Sequence, residues 1–142
     1  MECIIRTYYL CRENNYEVYS AHIIEEFGTK LRKIDKYVID DIREAKDAAI
    51  YVGITDGTLS NGMAVELGIA AASGTQILLF VHESAQDVSF LEELARTHSG
   101  IVLRYSRADD IVDQLCKRLK LKNRQSGWVH SLYDKGSECS KT

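Results

Sequence analysis

The sequence lacks the features that mark membrane, zinc-binding and disulfide-bonded proteins. No apolar stretch approaches the length of a membrane span, and the beginning of the chain carries no signal-peptide pattern. The four cysteines, Cys3, Cys11, Cys116 and Cys139, form no C-x-x-C pair and have no matching histidine spacing. Neither a metal site nor a disulfide framework is therefore indicated. We expect a cytoplasmic protein without a membrane partner.

A long basic run is also absent, and the net charge is −3. The basic residues of 117–124 fall at the end of a predicted helix, where cations complement the helix dipole, so no polymeric nucleic acid is expected as a partner. The chain has no proline either, and nothing in the sequence explains that absence. What is present, 142 residues that are 45% hydrophobic and 27% charged, predicts one globular domain. We place it at residues 1–121, followed by a mobile polar tail over 122–142.

Helical and strand-like patterns alternate along the chain. The predicted helices cover 3–13, 34–46, 63–73, 84–97 and 108–121, and the predicted strands cover 17–22, 48–54, 76–81 and 101–105. This alternation predicts an α/β fold with a doubly wound, flavodoxin- or Rossmann-like parallel sheet and helices on both faces. On the second helix, the buried stripe is expected to hold Ile34, Val38, Ile42 and Ala45.

The stretch from Thr55 to Gly74 is the most informative part of the sequence. It runs from the end of a predicted buried strand through a glycine-containing loop into an apolar helix, the arrangement that places a loop at a ligand-binding sheet edge. Glu66 is the one charged residue of that helix, and no residue one turn away can pair with a carboxylate. A poorly solvated carboxylate without a partner costs free energy, which makes Glu66 a candidate functional residue. The alternative is a surface glutamate near a solvated helix end.

The loop before this helix offers groups that suit an oxygen-rich ligand. Residues 57–62 have P-loop spacing, but Met63 stands where the phosphate-binding lysine would be, so a nucleoside triphosphatase is not expected. Ser60, Asn61 and Gly62 provide polar groups and free backbone N–H donors at a helix N-terminus. They are candidates for binding a hydroxyl or a 5′-phosphate.

Two motifs carry a resemblance to a known family. The E-L-G-x-A element at 66–70, together with the strand and Ser-Asn-Gly turn that precede it, resembles the nucleoside 2-deoxyribosyltransferase superfamily, which includes nucleotide N-glycosidases. The sequence Y-S-A-H at 19–22, followed by two glutamates and Gly28, is similar to a stretch of the nucleotide-hydrolase branch. The likeness covers about residues 16–119.

The resemblance implies roles for particular residues. Glu66 would be the nucleophile that attacks the anomeric carbon, and a second acid on the preceding helix would assist the departing base. Asp40 and Asp41 both lie near the expected position, and the spacing does not decide between them. A solvated acidic helix face is the alternative for this pair. His22 would contact a sugar hydroxyl, the phosphate or the base, unless it is a structural histidine.

The resemblance also implies a function and an assembly. It implies cleavage or transfer of the N-glycosidic bond of a nucleoside or nucleotide, without metal or organic cofactor, by a homo-oligomer (a dimer or larger). The alternative is a non-catalytic module that binds a nucleotide or nucleoside with the same fold. The chain opens directly on a helical pattern, so we expect that the first strand of the family fold is missing and that the chain is an N-terminally shortened version. The base, the sugar, the need for a phosphate and the acceptor stay open.

Overall fold

The computed structural model describes residues 1–30, 32–58 and 60–123, so the predicted tail lies almost wholly outside the described residues. The helices are α1 (Glu2–Glu13), α2 (Ala21–Ile24), α3 (Ile34–Asp47), α4 (Asn61–Ala72), α5 (Ser89–Thr97) and α6 (Ala108–Leu119), with one 3-10 turn at Glu26–Gly28. The strands are β1 (Ile50–Thr55), β2 (Gln76–His82) and β3 (Ile101–Tyr105). Within these ranges, no helix combines the length and the apolar character that crossing a bilayer requires.

The strands form one parallel sheet in the order β1-β2-β3. Gly53 of β1 lies opposite Leu79 of β2, and Phe80 of β2 lies opposite Leu103 of β3. Parallel neighbours need crossover connections, and here each crossover contains a helix, α4 or α5. The predicted α/β class and parallel sheet are therefore confirmed.

Helices cover both faces of the sheet, as predicted. On one face, Leu78 and Phe80 pack with residues of α1 and α6, among them Leu10 and Leu115. On the other face, alternate residues of β2, such as Leu79, pack with residues of α4 and α5. All five residues from Ile77 to Val81 are almost completely buried, which explains why this strand shows no polar alternation in the sequence.

The strand predicted over residues 17–22 is wrong. That segment pairs with no strand, and α2 begins within it at Ala21. Ser20 has extended backbone angles, and its hydroxyl accepts a hydrogen bond from the backbone N–H of Ile23 at 3.5 Å, which makes it the N-cap of α2. Val18 packs against the apolar core without being part of a strand. Alternation of polar and apolar residues alone therefore did not define a strand here.

The buried stripe predicted on α3 is also wrong, except at its end. Ala45 is 6% exposed, but Ile34 is 69%, Val38 is 41% and Ile42 is 41% exposed. The helix packs mainly against α4 rather than across the sheet, so much of its apolar side is left uncovered. The periodicity correctly indicated an amphipathic helix but not what covers it.

The helix predicted over 84–97 begins five residues later, at Ser89. Asp87 has a left-handed backbone conformation (φ 56°), which cannot continue a helix. The backbone N–H of Ser84 donates to Nδ1 of His82 at 3.2 Å and holds the turn after β2. The sequence pattern places Val88, Leu91, Leu94 and Ala95 inward; Leu94 is half-buried, and the other three are buried.

Candidate active site at the α3–α4 corner

The loop between β1 and α4 is built from local hydrogen bonds. Thr55 Oγ1 accepts from the backbone N–H of Gly57 at 3.1 Å, and Asp56 Oδ1 accepts from the backbone N–H of Thr58 at 2.9 Å. The second of these bonds lowers the pKa of Asp56 below its usual value. Gly57 has φ +99°, a conformation that favours glycine. The loop turns sharply and lets α4 start beyond the carboxyl end of β1.

The start of α4 holds three of the predicted binding residues. Ser60 is the N-cap, and its hydroxyl accepts from the backbone N–H of Met63 at 3.1 Å. Asn61 and Gly62 are the first two helical residues, and all three are exposed. The cap explains Ser60 structurally, because it satisfies one of the N–H groups that a helix start leaves free. Asn61 and Gly62 lie where a helix start leaves backbone N–H groups without intrahelical partners, and their binding of a ligand stays a prediction.

Glu66 lies half-buried on α4, and its carboxyl faces β1. The hydroxyl of Tyr51, from β1, is 3.5 Å from Glu66 Oε2. Among the described residues, no lysine or arginine forms an ion pair with Glu66. Within the described residues, Glu66 therefore has no cationic partner, either on its own helix or from another element.

The surroundings of Glu66 disfavour its ionised form. Burial is the main cause and the negative charge of Asp41 the second, and together they raise the pKa of Glu66 to about 7. The hydrogen bond from Tyr51 acts in the opposite direction but is weaker. Burial and the Glu66 charge raise the pKa of Tyr51 in turn, so its hydroxyl keeps its proton and remains a donor. A carboxyl poised near neutral pH is a marker of functional sites.

The two neighbouring aspartates of α3 differ in what they contact. Asp41 is near enough to Glu66 for its charge to act on that carboxyl, and it accepts a hydrogen bond from the hydroxyl of Tyr19. Asp40 instead pairs with Arg43, with Nη2 and Oδ1 separated by 3.1 Å. The charge of Asp41 thus reaches Glu66, whereas Asp40, which is equally half-buried, pairs with Arg43.

Arg32 and Tyr19 belong to this corner and were not identified as candidates from the sequence. Arg32 Nη2 lies 3.3 Å from Asp41, and its Nη1 lies 3.3 Å from Asp40 and 3.0 Å from the hydroxyl of Tyr19. Burial and the hydrogen bond to Asp41 raise the pKa of Tyr19 to about 12. Arg32 precedes α3 in an irregular segment that carries no motif, so no local signal indicated it. Tyr19 was assigned to a strand that does not form.

His22 does not sit at a strand end as predicted. It lies on α2, is exposed, and its ring centroid is 6.2 Å from that of Phe27. No hydrogen bond or ion pair found in the described ranges joins His22 to Glu66, Asp40 or Asp41.

A separate cavity of about 450 Å³ opens at the carboxyl ends of β2 and β3. Its lining includes His82, Tyr105, Arg6 and Arg107, and none of the candidate residues named above. Arg6 forms salt bridges with Glu2 and Asp109, and these carboxylates neutralise much of the positive charge of the cavity lining. The Glu66 site is therefore not part of this cavity. The described residues contain no group of three or more His, Cys, Asp or Glu side chains suited to a metal ion.

The architecture places the chain among parallel α/β proteins with a carboxylate on the helix after an edge strand of the sheet. Its fold is similar to that of a CMP N-glycosidase, BcmB of Clostridium botulinum, with a TM-score of 0.66 over 80% of this chain and 86% of that chain. The two sequences are 18% identical, so the likeness speaks for the fold. No protein-family model and no curated protein matches the sequence. The family resemblance drawn from the motifs is thereby confirmed at the level of the fold.

Proposed function

We propose that this protein cleaves or transfers the N-glycosidic bond of a nucleoside or nucleotide, with Glu66 as the nucleophile. The observation that carries the proposal is the pair of carboxyl groups at the α3–α4 corner. Glu66 is half-buried with the hydroxyl of Tyr51 beside it, and burial, followed by the negative charge of Asp41, raises its pKa to about 7. The similarity of the fold to an enzyme described as a CMP N-glycosidase supports the same class of reaction.

The reaction would proceed in two displacements at the anomeric carbon. A Glu66 oxygen forms a bond to that carbon while the carbon–nitrogen bond breaks, and its electron pair leaves with the base, which takes up a proton. Water, or a second base in a transferase, then attacks the same carbon and releases the Glu66 carboxylate. Tyr51 would donate its hydroxyl hydrogen bond to the carboxyl oxygen that does not attack, and so orient the nucleophile.

Of the two candidate acids, we assign the assisting role to Asp41. It is the one whose charge acts on Glu66, whereas Asp40 pairs with Arg43 in addition to Arg32. Asp41 would hydrogen-bond to the sugar or guide the proton toward the departing base. The N-terminus of α4, with the free N–H groups of Asn61 and Gly62, would bind a hydroxyl or a 5′-phosphate.

The test measures, by chromatography, the release of free base from a panel of ribo- and deoxyribonucleosides and their 5′-monophosphates. Reactions with and without a second base distinguish transfer from hydrolysis. We expect one substrate class to be turned over, and Glu66→Gln to lower the rate on the order of a thousandfold or more. Asp41→Asn should also lower it strongly. Asp40→Asn is the matched control, since this neighbouring carboxyl shares the contact to Arg32 but its charge is not a cause of the raised pKa of Glu66.

Two results would contradict the proposal. Wild-type turnover by a folded Glu66→Gln variant would remove Glu66 from the chemistry. A rise in melting temperature with a nucleotide, without base release from any member of the panel, would favour the non-catalytic binding module instead.

A further inference from the structure

The guanidinium of Arg32 is surrounded by more partners than any other cation at the α3–α4 corner. Its Nε lies 3.2 Å from Glu25, and its two terminal nitrogens lie 3.3 Å from Asp40 and 3.3 Å from Asp41. The Nη1 group also donates to the hydroxyl of Tyr19 at 3.0 Å. The side chain of Arg32 is only 15% exposed. It is therefore an enclosed cation with three carboxylates and not a solvated surface residue.

This geometry couples two parts of the chain. Glu25 and Tyr19 belong to the segment before α3, whose regular structure is limited to α2 and one 3-10 turn. Asp40 and Asp41 lie on α3 itself. A guanidinium is planar and presents its donors at fixed angles, so each carboxyl it binds is held in a defined direction.

Tyr19 provides a second link to the same aspartate. Its hydroxyl accepts from Arg32 and donates to Asp41, so Arg32 acts on Asp41 both directly and through Tyr19. The guanidinium carbon also lies 5.9 Å from the ring centroid of Tyr19 and 5.9 Å from that of Tyr37. Rings on either side restrict the rotation of the guanidinium further.

We propose that Arg32 is a positioning residue that, directly and through Tyr19, holds the Asp41 carboxylate toward Glu66. Its effect on catalysis rests on the function proposed above. Its effect on the ionisation of Glu66 does not, because the charge of Asp41 acts on Glu66 whether or not the protein is an enzyme.

The charged and titratable groups at the corner determine how the loss of Arg32 changes the ionisation of Glu66. Glu66 is faced by Tyr51 from β1 and by the charge of Asp41 from α3. Asp41 is faced by Tyr19 and Arg32, while Asp40 shares Arg32 with Glu25 and is also held by Arg43. When Arg32 is lost, Asp41 is free to turn to solvent, and its negative charge moves away from Glu66. The pKa of Glu66 should then fall, although its burial, the larger cause, remains.

The experiment is a carbon-13 NMR titration of the glutamate side-chain carboxyls, with the Glu66 signal assigned from its loss in Glu66→Gln. In Arg32→Gln we expect the pKa of Glu66 to fall by roughly half a unit to one unit. Arg32→Lys keeps the charge without the planar fork and should restore only part of the wild-type value. Arg43→Gln is the matched control: this arginine also pairs with Asp40 but touches neither Asp41 nor Tyr19, and the titration should not change.

If the protein releases base, Arg32→Gln should lower kcat roughly ten- to a hundredfold with a smaller change in KM, as misplacement of a catalytic group would. If no variant releases base, the proposed function fails, and the titration alone still decides the role of Arg32. Should Arg32→Gln not fold, Tyr19→Phe removes the bridging hydroxyl and should shift the pKa of Glu66 downward by a smaller amount. A wild-type Glu66 titration in a folded Arg32→Gln protein, or in Tyr19→Phe where that protein does not fold, overturns the proposal.

Discussion

The apolar core under α1 and α6 and the α3–α4 corner are built in different ways. On the face covered by α1 and α6, Leu10, Phe80 and Leu115 are completely buried in one apolar cluster. At the α3–α4 corner on the other side, a half-buried glutamate and an enclosed arginine lie beside a helix whose isoleucines are largely exposed. The first region stabilises the fold through burial of apolar area. The second departs from the rules of good packing, and such departures concentrate where proteins act or associate.

The largest effect on stability should come from the packed face. Leu115→Ala removes a completely buried side chain and leaves a cavity, so the free energy of unfolding should fall by about 2–5 kcal/mol. Urea denaturation followed by circular dichroism would measure it. The same kind of truncation at the corner, Ile39→Ala, removes a side chain that is 64% exposed and should change stability by less than about 0.5 kcal/mol. Equal losses of stability at both positions would show that the two regions do not differ in packing.

The corner should instead control activity through pH. A nucleophile must be ionised, and the pKa of Glu66 is raised to about 7. Below that value, kcat/KM should fall about tenfold for each pH unit, so the rate at pH 5 should be about a hundredfold lower than at pH 8. Initial rates of base release over this range, with stability checked at each pH, provide the measurement. A rate that falls as the pH rises through 7 would instead make Glu66 the acid.

Glu66→Gln should stabilise the protein while removing its activity. In the unfolded chain Glu66 ionises near 4.5, but in the folded protein it keeps its proton up to about 7. Between these values the folded state binds more protons, so stability decreases as the pH rises. The glutamine variant lacks this penalty and should be more stable above pH 7 by about 1–3 kcal/mol, allowing for the partial exposure of the carboxyl. Below pH 4.5 the two proteins should have the same free energy of unfolding. A difference that persists there would show that ionisation of Glu66 is not its cause.

The smallest change in stability is expected on the exposed side of α3. The family resemblance implies a homo-oligomer, and Ile34, Val38, Ile39 and Ile42 offer apolar surface for it. The sequence offers two other aromatic stretches for such an assembly, Tyr8 and Tyr9 of α1 and the tail with Trp128 and Tyr133. Both tyrosines are half-buried, and the tail lies outside the described residues.

Ile39→Lys should therefore weaken self-association at micromolar concentration, measured by sedimentation, with little effect on unfolding. Phe90→Lys is the control, since Phe90 is 73% exposed on α5, away from this helix. A wild-type protein that sediments as a monomer would count against an assembly through α3.

The sequence by itself determined the features that depend on neighbouring residues. The unbroken apolar run of β2 indicated a strand covered on both faces. The spacing of Ile111, Leu115 and Leu119 indicated the inward side of α6, where the first two are buried and Leu119 is half-buried. The lone charge in an apolar helix singled out Glu66, which is half-buried and unpaired with any described cation. These inferences held because periodicity and local composition act within one element.

Only the tertiary structure decided which residues of different elements meet. Successive residues of a helix point about 100° apart, so whether Asp40 or Asp41 faces Glu66 depends on how α3 docks on α4, which spacing cannot show. The exposure of Ile34 and Val38 depends likewise on what covers α3. Tyr19 and Arg32 lie 22 and 9 residues from Asp41, in irregular chain, and only folding brings their side chains to it. A local pattern sets the faces of an element, but long-range contacts set which groups those faces meet.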